Sequence, residues 1–228
     1  GMARLWGVDH PGFHRFRLSY AMEAVESISG DLLCSALLPG GGQRVLLGDL
    51  AGHGAAAATC APLLIHVFYQ AAAAGEAAAA ALGLLGAALH RHARADVFMA
   101  FVLAEWSEDR SGLWLWNGGL PGCFRVGAGG MVEHFPSRCQ PLGVAGEGRA
   151  AAECQAVATA AGDQVFLFTD GFSEAADSAG DPLGVAGAEA LLLARATSVG
   201  LGDVIAGLSA YRGGRPSADD VTVVGLRP

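Results

Sequence analysis

From Leu50 to Gly75 the chain runs for 26 residues without a formal charge, and any fold it adopts has to hide that run. A membrane span needs about 20 consecutive, predominantly apolar residues. This run is largely alanine, a weakly apolar residue, and His53, Pro62, His66 and Gln70 interrupt it. Its strongly apolar centre, Leu63–Tyr69, is too short to span and is itself broken by His66. The run therefore reads as a buried helix rather than a membrane segment. With the residues that follow it predicts a helical hairpin, Ala55–Ala74 and Glu76–Arg94, hinged at Gly75.

Composition sharpens what such a chain can do. The apolar fraction of 52% is inflated by 45 Ala, which stand beside 34 Gly in 228 residues. All 14 basic residues are Arg; there is no Lys, which excludes Schiff-base chemistry, a P-loop lysine and a lysine general base. The net charge of −8 speaks against nonspecific binding to nucleic acid or to anionic membranes, and leaves room for a site built from carboxylates. Five scattered cysteines without a CxxC pair fit a reducing cytoplasm better than a zinc or disulfide framework. Gly1 ahead of Met2 reads as a tag-cleavage scar, and no signal peptide is expected.

Around the helical middle the pattern is strand-like. Phe16–Met22, Asp31–Leu38 and Arg44–Gly48 are predicted strands, the last two forming a hairpin across Pro39–Gly42. From Val97 onward, short apolar runs separated by Gly, Asp and Ser turns predict further strands, including Gln164–Thr169. Two helices are predicted at Gly187–Thr197 and Gly202–Tyr211, and Val221–Leu226 is the last strand. Strands, helix pair, strands, helix pair, strand is the order of an α+β fold with antiparallel sheets rather than a βαβ alternation. No composition break or repeat divides the chain, so 16–228 reads as one domain behind an N-terminal segment, 1–15.

The informative residues are four of the 12 aspartates, which fall at the expected strand ends among small residues. They lie in Ser29-Gly30-Asp31, Gly48-Asp49, Thr169-Asp170-Gly171 and Ala218-Asp219-Asp220. One aspartate after a strand is an ordinary turn former, but four in the same setting are harder to explain that way. Ends of neighbouring strands converge at one edge of a sheet, and converging carboxylates repel unless a cation neutralises them. All-oxygen sites suit hard divalent ions, Mg²⁺ or Mn²⁺, and a pair of such ions generates a nucleophile for phosphoryl chemistry.

The same residues carry a family resemblance. Ser29-Gly30-Asp31, Gly48-Asp49-Leu50-Ala51-Gly52-His53-Gly54, Thr169-Asp170-Gly171-Phe172-Ser173-Glu174-Ala175 and Asp219-Asp220-Val221-Thr222 occur in the order seen in bacterial metal-dependent Ser/Thr phosphatases of the PPM group. The set most resembles the stage II sporulation protein E branch, which includes the stress-response sigma-factor phosphatases. Asn117-Gly118-Gly119-Leu120-Pro121 and Pro141-Leu142-Gly143-Val144 add to the match, which covers about 16–228. The resemblance implies a layered αββα sandwich of two antiparallel sheets flanked by helix pairs. It implies that Asp49 bridges two Mn²⁺ or Mg²⁺ ions, with the Leu50 carbonyl, Asp31, Asp170 and Asp219 as further ligands. Asp220 would sit behind the ligands or cap the final strand, and Gly171 would let backbone pass close to the site.

Three positions set this chain apart from the family pattern. Cys34 stands where many members place a second Asp, three residues after Asp31; a small buried strand residue is the simple reading. Leu120 replaces a His and fits a structural turn. His53, between two glycines and four residues after Asp49, is a candidate general acid, although eukaryotic relatives carry their His two residues after the bridging Asp. His90 and His92 are two apart on a predicted helix and cannot share a metal. Trp106, Trp114 and Trp116 read as sheet packing.

The expected function is a cytoplasmic phosphoprotein phosphatase acting on phosphoserine or phosphothreonine through a metal-activated water. The resemblance makes an anti-sigma-factor antagonist the expected partner, with control by a separate protein or through homodimerisation. Two alternatives are a degenerate phosphatase that binds a phosphoprotein without turnover, favoured by Cys34 and Leu120, and a phosphoesterase for small molecules.

Overall fold

The computed structural model describes residues 4–14, 17–25, 28–51, 55–93, 97–109, 111–127, 129–144, 153–195 and 201–227. Their strands are β1 (Arg4–Trp6), β2 (Leu18–Glu23), β3 (Ile28–Leu37), β4 (Gln43–Leu50), β5 (Met99–Trp106), β6 (Gly112–Gly118), β7 (Gly122–Val126), β8 (Val132–His134), β9 (Gln155–Ala158), β10 (Gln164–Phe168) and β11 (Val221–Leu226). Their helices are α1 (Ala55–Ala73), α2 (Ala78–His92), α3 (Asp170–Glu174), α4 (Gly184–Arg195) and α5 (Gly202–Tyr211). One sheet has the order β1-β3-β4-β5-β6-β9 and the other β2-β11-β10-β7-β8. All pairs are antiparallel except β1 on β3, where a three-residue edge strand runs parallel ahead of the expected domain start.

Strand alternation sorts the side chains into three apolar layers. Leu32, Cys34 and Leu46 face α1 and α2. Their neighbours Leu33, Val45 and Leu47 point the other way and meet Val165, Leu167, Val224 and Leu226 of the second sheet. Phe166, Phe168, Val221 and Val223 turn outward onto α3, α4 and α5 through Phe172, Ala188, Leu192, Val204 and Leu208. The result is a helix–sheet–sheet–helix stack, the α+β architecture expected from the element order.

The charge-free run becomes α1, with Leu64, Phe68 and Ala72 buried on the first sheet, and no helix among the described residues is long and apolar enough to cross a membrane. The hairpin turn is a Schellman motif. Gly75 takes φ +68°, Gly75 N–H donates to Ala72 O at 3.1 Å, and Glu76 N–H donates to Ala71 O at 3.0 Å. Fully buried Arg44 ties that turn to the sheet, donating to Glu76 O at 2.6 Å and pairing with Glu105, its direct partner on β5, at 2.7 Å.

Two expectations shift. Asp31 is not at a strand end but is the fourth residue of the ten-residue β3: pairing with β4 stops at Asp31–Asp49, and β1 extends the strand ahead of it, with Arg4 opposite Ile28. Asp170 does not end a strand; it opens α3, a five-residue helix too short to leave a periodic signal. Leu47→Ala, in the layer between the sheets, is expected to cost about 2–5 kcal/mol in urea unfolding. Leu84→Ala, on the exposed face of α2, should stay within about 0.5 kcal/mol.

Candidate metal centre

The layer between the sheets is apolar for most of its length and changes character at one end. Asp31 and Asp49 share the parity of Leu33, Val45 and Leu47, so both carboxylates face the second sheet. Across from them, Thr169 and Thr222 continue the inward rows of Val165–Leu167 and Val224–Leu226. Asp31 and Asp49 are also direct cross-strand partners. Direct partners stand about 4.5–5.5 Å apart at Cβ, where like charges destabilise a sheet.

The pair is held by hydrogen bonds and shifted equilibria. Asp31 is 1% exposed; Thr169 Oγ1 donates to its Oδ2 at 3.1 Å, and its own N–H donates to Ser29 Oγ at 3.0 Å. The buried Thr222 hydroxyl leans on the same carboxylate without a well-formed hydrogen bond. Burial, followed by the charge of Asp49, pushes the Asp31 carboxyl well above its ordinary range. Asp49 is pushed up to about 7, first by burial and then by Asp170 and Asp219, with a hydrogen bond shared with Asp170 and the charge of Asp220 adding to the rise. Asp49 is thus the carboxylate on which the others converge.

Asp170 and Asp219 arrive from the second sheet. Asp170 is the first residue of α3, and Asp219 stands exposed just ahead of β11, its Oδ1 accepting from Asp220 N–H at 2.8 Å. A Cβ at Gly171 would overlap the Asp220 carbonyl oxygen, so only glycine lets the two segments meet. Asp220 is spent on backbone: Oδ1 accepts from Val25 N–H at 2.8 Å and Oδ2 from Gly30 N–H at 2.7 Å. It fastens the exit of β2 and the entry of β3 to the start of β11, the supporting part expected of it.

Leu50 is buried, with its carbonyl turned toward Gly30. A Cβ at Gly30 would stand 3.2 Å from that oxygen, 3.6 Å from Asp49 Oδ1 and 3.9 Å from Asp220 Oδ2. A side chain there would fill the space the oxygens share. His53 lies outside the described residues, together with Gly52 and Gly54. Among the described residues, no three His, Cys, Asp or Glu side chains are gathered into a formed metal-binding group. The donor chemistry nevertheless fits a hard divalent cation: anionic and carbonyl oxygens, a glycine cradle and a poorly satisfied hydroxyl.

Two of the departures from the family pattern, Cys34 and Leu120, are packing positions. Cys34 is fully buried on the helix-facing side of β3, opposite in parity to Asp31, so its side chain points away from the carboxylates. Leu120 packs between the sheets, and Asn117 builds the turn ahead of it: Nδ2 donates to Leu120 O at 3.0 Å and Leu120 N–H donates to Asn117 Oδ1 at 3.2 Å. His90 and His92 are exposed in the last turn of α2. Trp106 is buried between the sheets and Trp116 under the helices, while Trp114 is 38% exposed.

A raised carboxyl makes folding favour the protonated form, so its stabilising contribution is full below the unfolded value near 4 and is lost as pH rises through the folded value. For Asp49 that window runs from about 4 to about 7. Without added metal, Tm should fall between pH 4 and pH 7, and Asp49→Asn should flatten that fall. Gly171→Ala should lower Tm and weaken Mn²⁺ binding in calorimetry, because the Asp219–Asp220 backbone has to move aside.

Comparison with known proteins identifies the fold and the family. No curated protein matches the chain in sequence. The SiaA-PP2C domain of Pseudomonas aeruginosa is similar in structure, with TM-score 0.80 and 22% identity over 93% of this chain and 86% of that one. The RsbU and RsbW domains of Rv1364c from Mycobacterium tuberculosis give TM-score 0.73 and 19% identity over 92% of this chain and 59% of that one. RsbX in complex with magnesium gives TM-score 0.66 and 13% identity over 92% of this chain and 94% of that one. At these identities the likeness establishes the fold. The family model for Stage II sporulation protein E (SpoIIE) matches residues 39–228, and the chain belongs to that family, a branch of the PPM-class phosphatases with the PP2C-type fold.

Proposed function

We propose that this chain is a protein-serine/threonine phosphatase that works with two divalent ions, Mn²⁺ or Mg²⁺. Asp31, Asp49, Asp170, Asp219 and the main-chain carbonyl of Leu50 would hold them. The observation that carries this reading is the direct pairing of Asp31 with Asp49, with Asp170 and Asp219 acting on the same carboxylate. A fold that buries like charges together needs a compensating cation to keep them ionised near pH 7. The magnesium complex of the similarly folded RsbX supports the choice of ion class.

Bound there, the ions would supply the balancing charge and the Lewis acidity that activates water for attack on phosphorus. The chain's own residues set the geometry. Strand pairing fixes Asp31 against Asp49, the Thr169 hydroxyl orients Asp31, and Asp220 ties both sides of the β2–β3 connection to the start of β11 by its two amide bonds. His53, four residues beyond Asp49, is the proposed proton donor to the leaving serine or threonine oxygen. Hydrolysis then proceeds in line, without a phosphoenzyme.

The substrate we propose is a phosphorylated signalling protein in the cytoplasm, an anti-sigma-factor antagonist or a relative of one. The similarity to a chain carrying RsbU and RsbW domains supports that direction. Control would come from a separate protein or through homodimerisation. The alternative is a phosphatase-like module that binds a phosphoprotein without turnover.

Hydrolysis of p-nitrophenyl phosphate separates the two readings. Wild type should turn over with added Mn²⁺, and Asp49→Asn should lose at least about a hundredfold in kcat/KM. Absence of metal-dependent turnover, or an Asp49→Asn enzyme as active as wild type, would sink the enzymatic reading. His53→Ala should lower kcat on phosphopeptides by about 10²-fold or more while leaving Mn²⁺ affinity unchanged.

A further inference from the structure

Helix α5 ends in two consecutive glycines, and the residues beside them reach two other parts of the chain. Gly213 and Gly214 take φ +63° and +80°, a region that side chains resist, and turn the backbone from the helix into the segment that carries Asp219. Arg212, just ahead of them, is 3% exposed, and its Nη2 donates to Glu23 Oε2 at 2.6 Å at the end of β2. At the far end of the segment Asp220 accepts the amides of Val25 and Gly30. Both ends of 212–220 are therefore fastened to the same connection between β2 and β3, with Asp219 next to the second fastening. A short segment pinned at both ends has few conformations left.

The same turn holds the chain that leaves Asp170. The Tyr211 hydroxyl donates to Asp181 O at 3.0 Å, and Arg215 Nη1 donates to Asp177 O at 3.3 Å. Asp177 N–H donates to Asp181 O at 3.0 Å, which closes a turn, and Leu183 N–H donates to Ala175 O at 2.9 Å, which lays that turn on the end of α3. Asp170 opens α3, so the carriers of Asp170 and Asp219 are joined through residues 211–215. Arg212 is not what packing alone would select. Glu23 pairs with Val221, which packs with Val204 and Leu208 of α5, and beside that apolar layer Arg212 Nε and Nη1 have no hydrogen-bond partner among the described residues. A buried ion pair with unmet donors is often no more stabilising than an apolar pair of the same volume. What the charge-assisted bond adds is direction: it sets where the end of α5 lies against β2.

We propose that Arg212 is a positioning residue for the metal centre. Its bond to Glu23, with those of Tyr211 and Arg215 to the turn behind α3, holds Asp219 at a fixed separation from Asp170, so that the two carboxylates meet at Asp49. The proposal rests on the metal-dependent phosphatase reading of the carboxylate edge and adds the device that sets one of its ligands.

Calorimetric titration of the full chain with Mn²⁺, beside thermal unfolding without metal, tests it without relying on turnover. Arg212→Met with Glu23→Gln removes both charges and keeps the volume. Its Tm should stay within about 3 °C of wild type, whereas its Kd for Mn²⁺ should rise about tenfold. Arg212→Lys can still donate to Glu23 and should bind Mn²⁺ within about threefold of wild type. Tyr211→Phe with Arg215→Gln cuts only the exposed bonds to the 177–181 turn and should weaken binding about threefold. That second pair decides the matter if the buried variant does not fold. Unchanged Mn²⁺ affinity in a folded variant of either pair overturns the proposal. So does Arg212→Lys binding as weakly as Arg212→Met with Glu23→Gln. Wild type that takes up no Mn²⁺ removes the metal reading and the brace together; Mn²⁺ taken up equally by wild type and variants removes the brace alone.

Discussion

Two carboxylates facing each other across an antiparallel pair oppose the sheet that holds them. Asp31 and Asp49 are placed that way, in a layer whose other members are leucines and valines. The fold meets the cost locally. A threonine hydroxyl donates to Asp31, both residues bind protons more readily than free carboxyls do, and a glycine at position 30 leaves the neighbouring oxygens unobstructed. Among the described residues, Asp170 and Asp219 add negative charge to this edge, and Asp220 and Gly171 hold the pieces together. Such concentration of like charge is characteristic of function rather than of stability.

The layered architecture decides where this can happen. A carboxylate pair in the middle of the inter-sheet layer would be fully enclosed, whereas at its end one side opens to solvent and the second sheet can contribute from loops. Asp220 makes the join, since a single carboxylate accepts amides from both sides of the β2–β3 connection while its own backbone presses on Gly171. The helix hairpin is anchored independently, through buried Arg44 and the carbonyl of Glu76. The two ends of the sandwich are thus braced by different means: one by a buried cation, the other by shared anions.

Much of this was legible in the sequence, and the failures have physical causes. Period-2 apolar runs and glycine-rich turns marked most strands, and the small residues around the aspartates marked the edge where Asp31 and Asp49 pair. Register was not legible: the spacing of Asp31 and Asp49 does not say that they are direct partners, and a slip of one residue would put them on opposite faces. β1 and β8 have three residues each, β9 four and α3 five, too few to show a period. Cys34 resembled a lost ligand only while its facing was unknown; three residues from Asp31 on a strand, it has to point to the other side.

The central position of β11 has a consequence for how the molecule comes into being. This strand sits between β2 and β10, and the residue just ahead of it, Asp220, bonds to Gly30, 190 positions away in sequence. No early segment can assemble the carboxylate edge alone, because closing it requires contacts of very high sequence separation, which form slowly. During synthesis the β3–β4 hairpin would carry its two aspartates for most of the chain's emergence before the second sheet arrives to complete their surroundings. The carboxylate edge is therefore a late product of folding, and a nascent chain that has not yet laid down β11 lacks the strand that brings Asp219 and Asp220 to it.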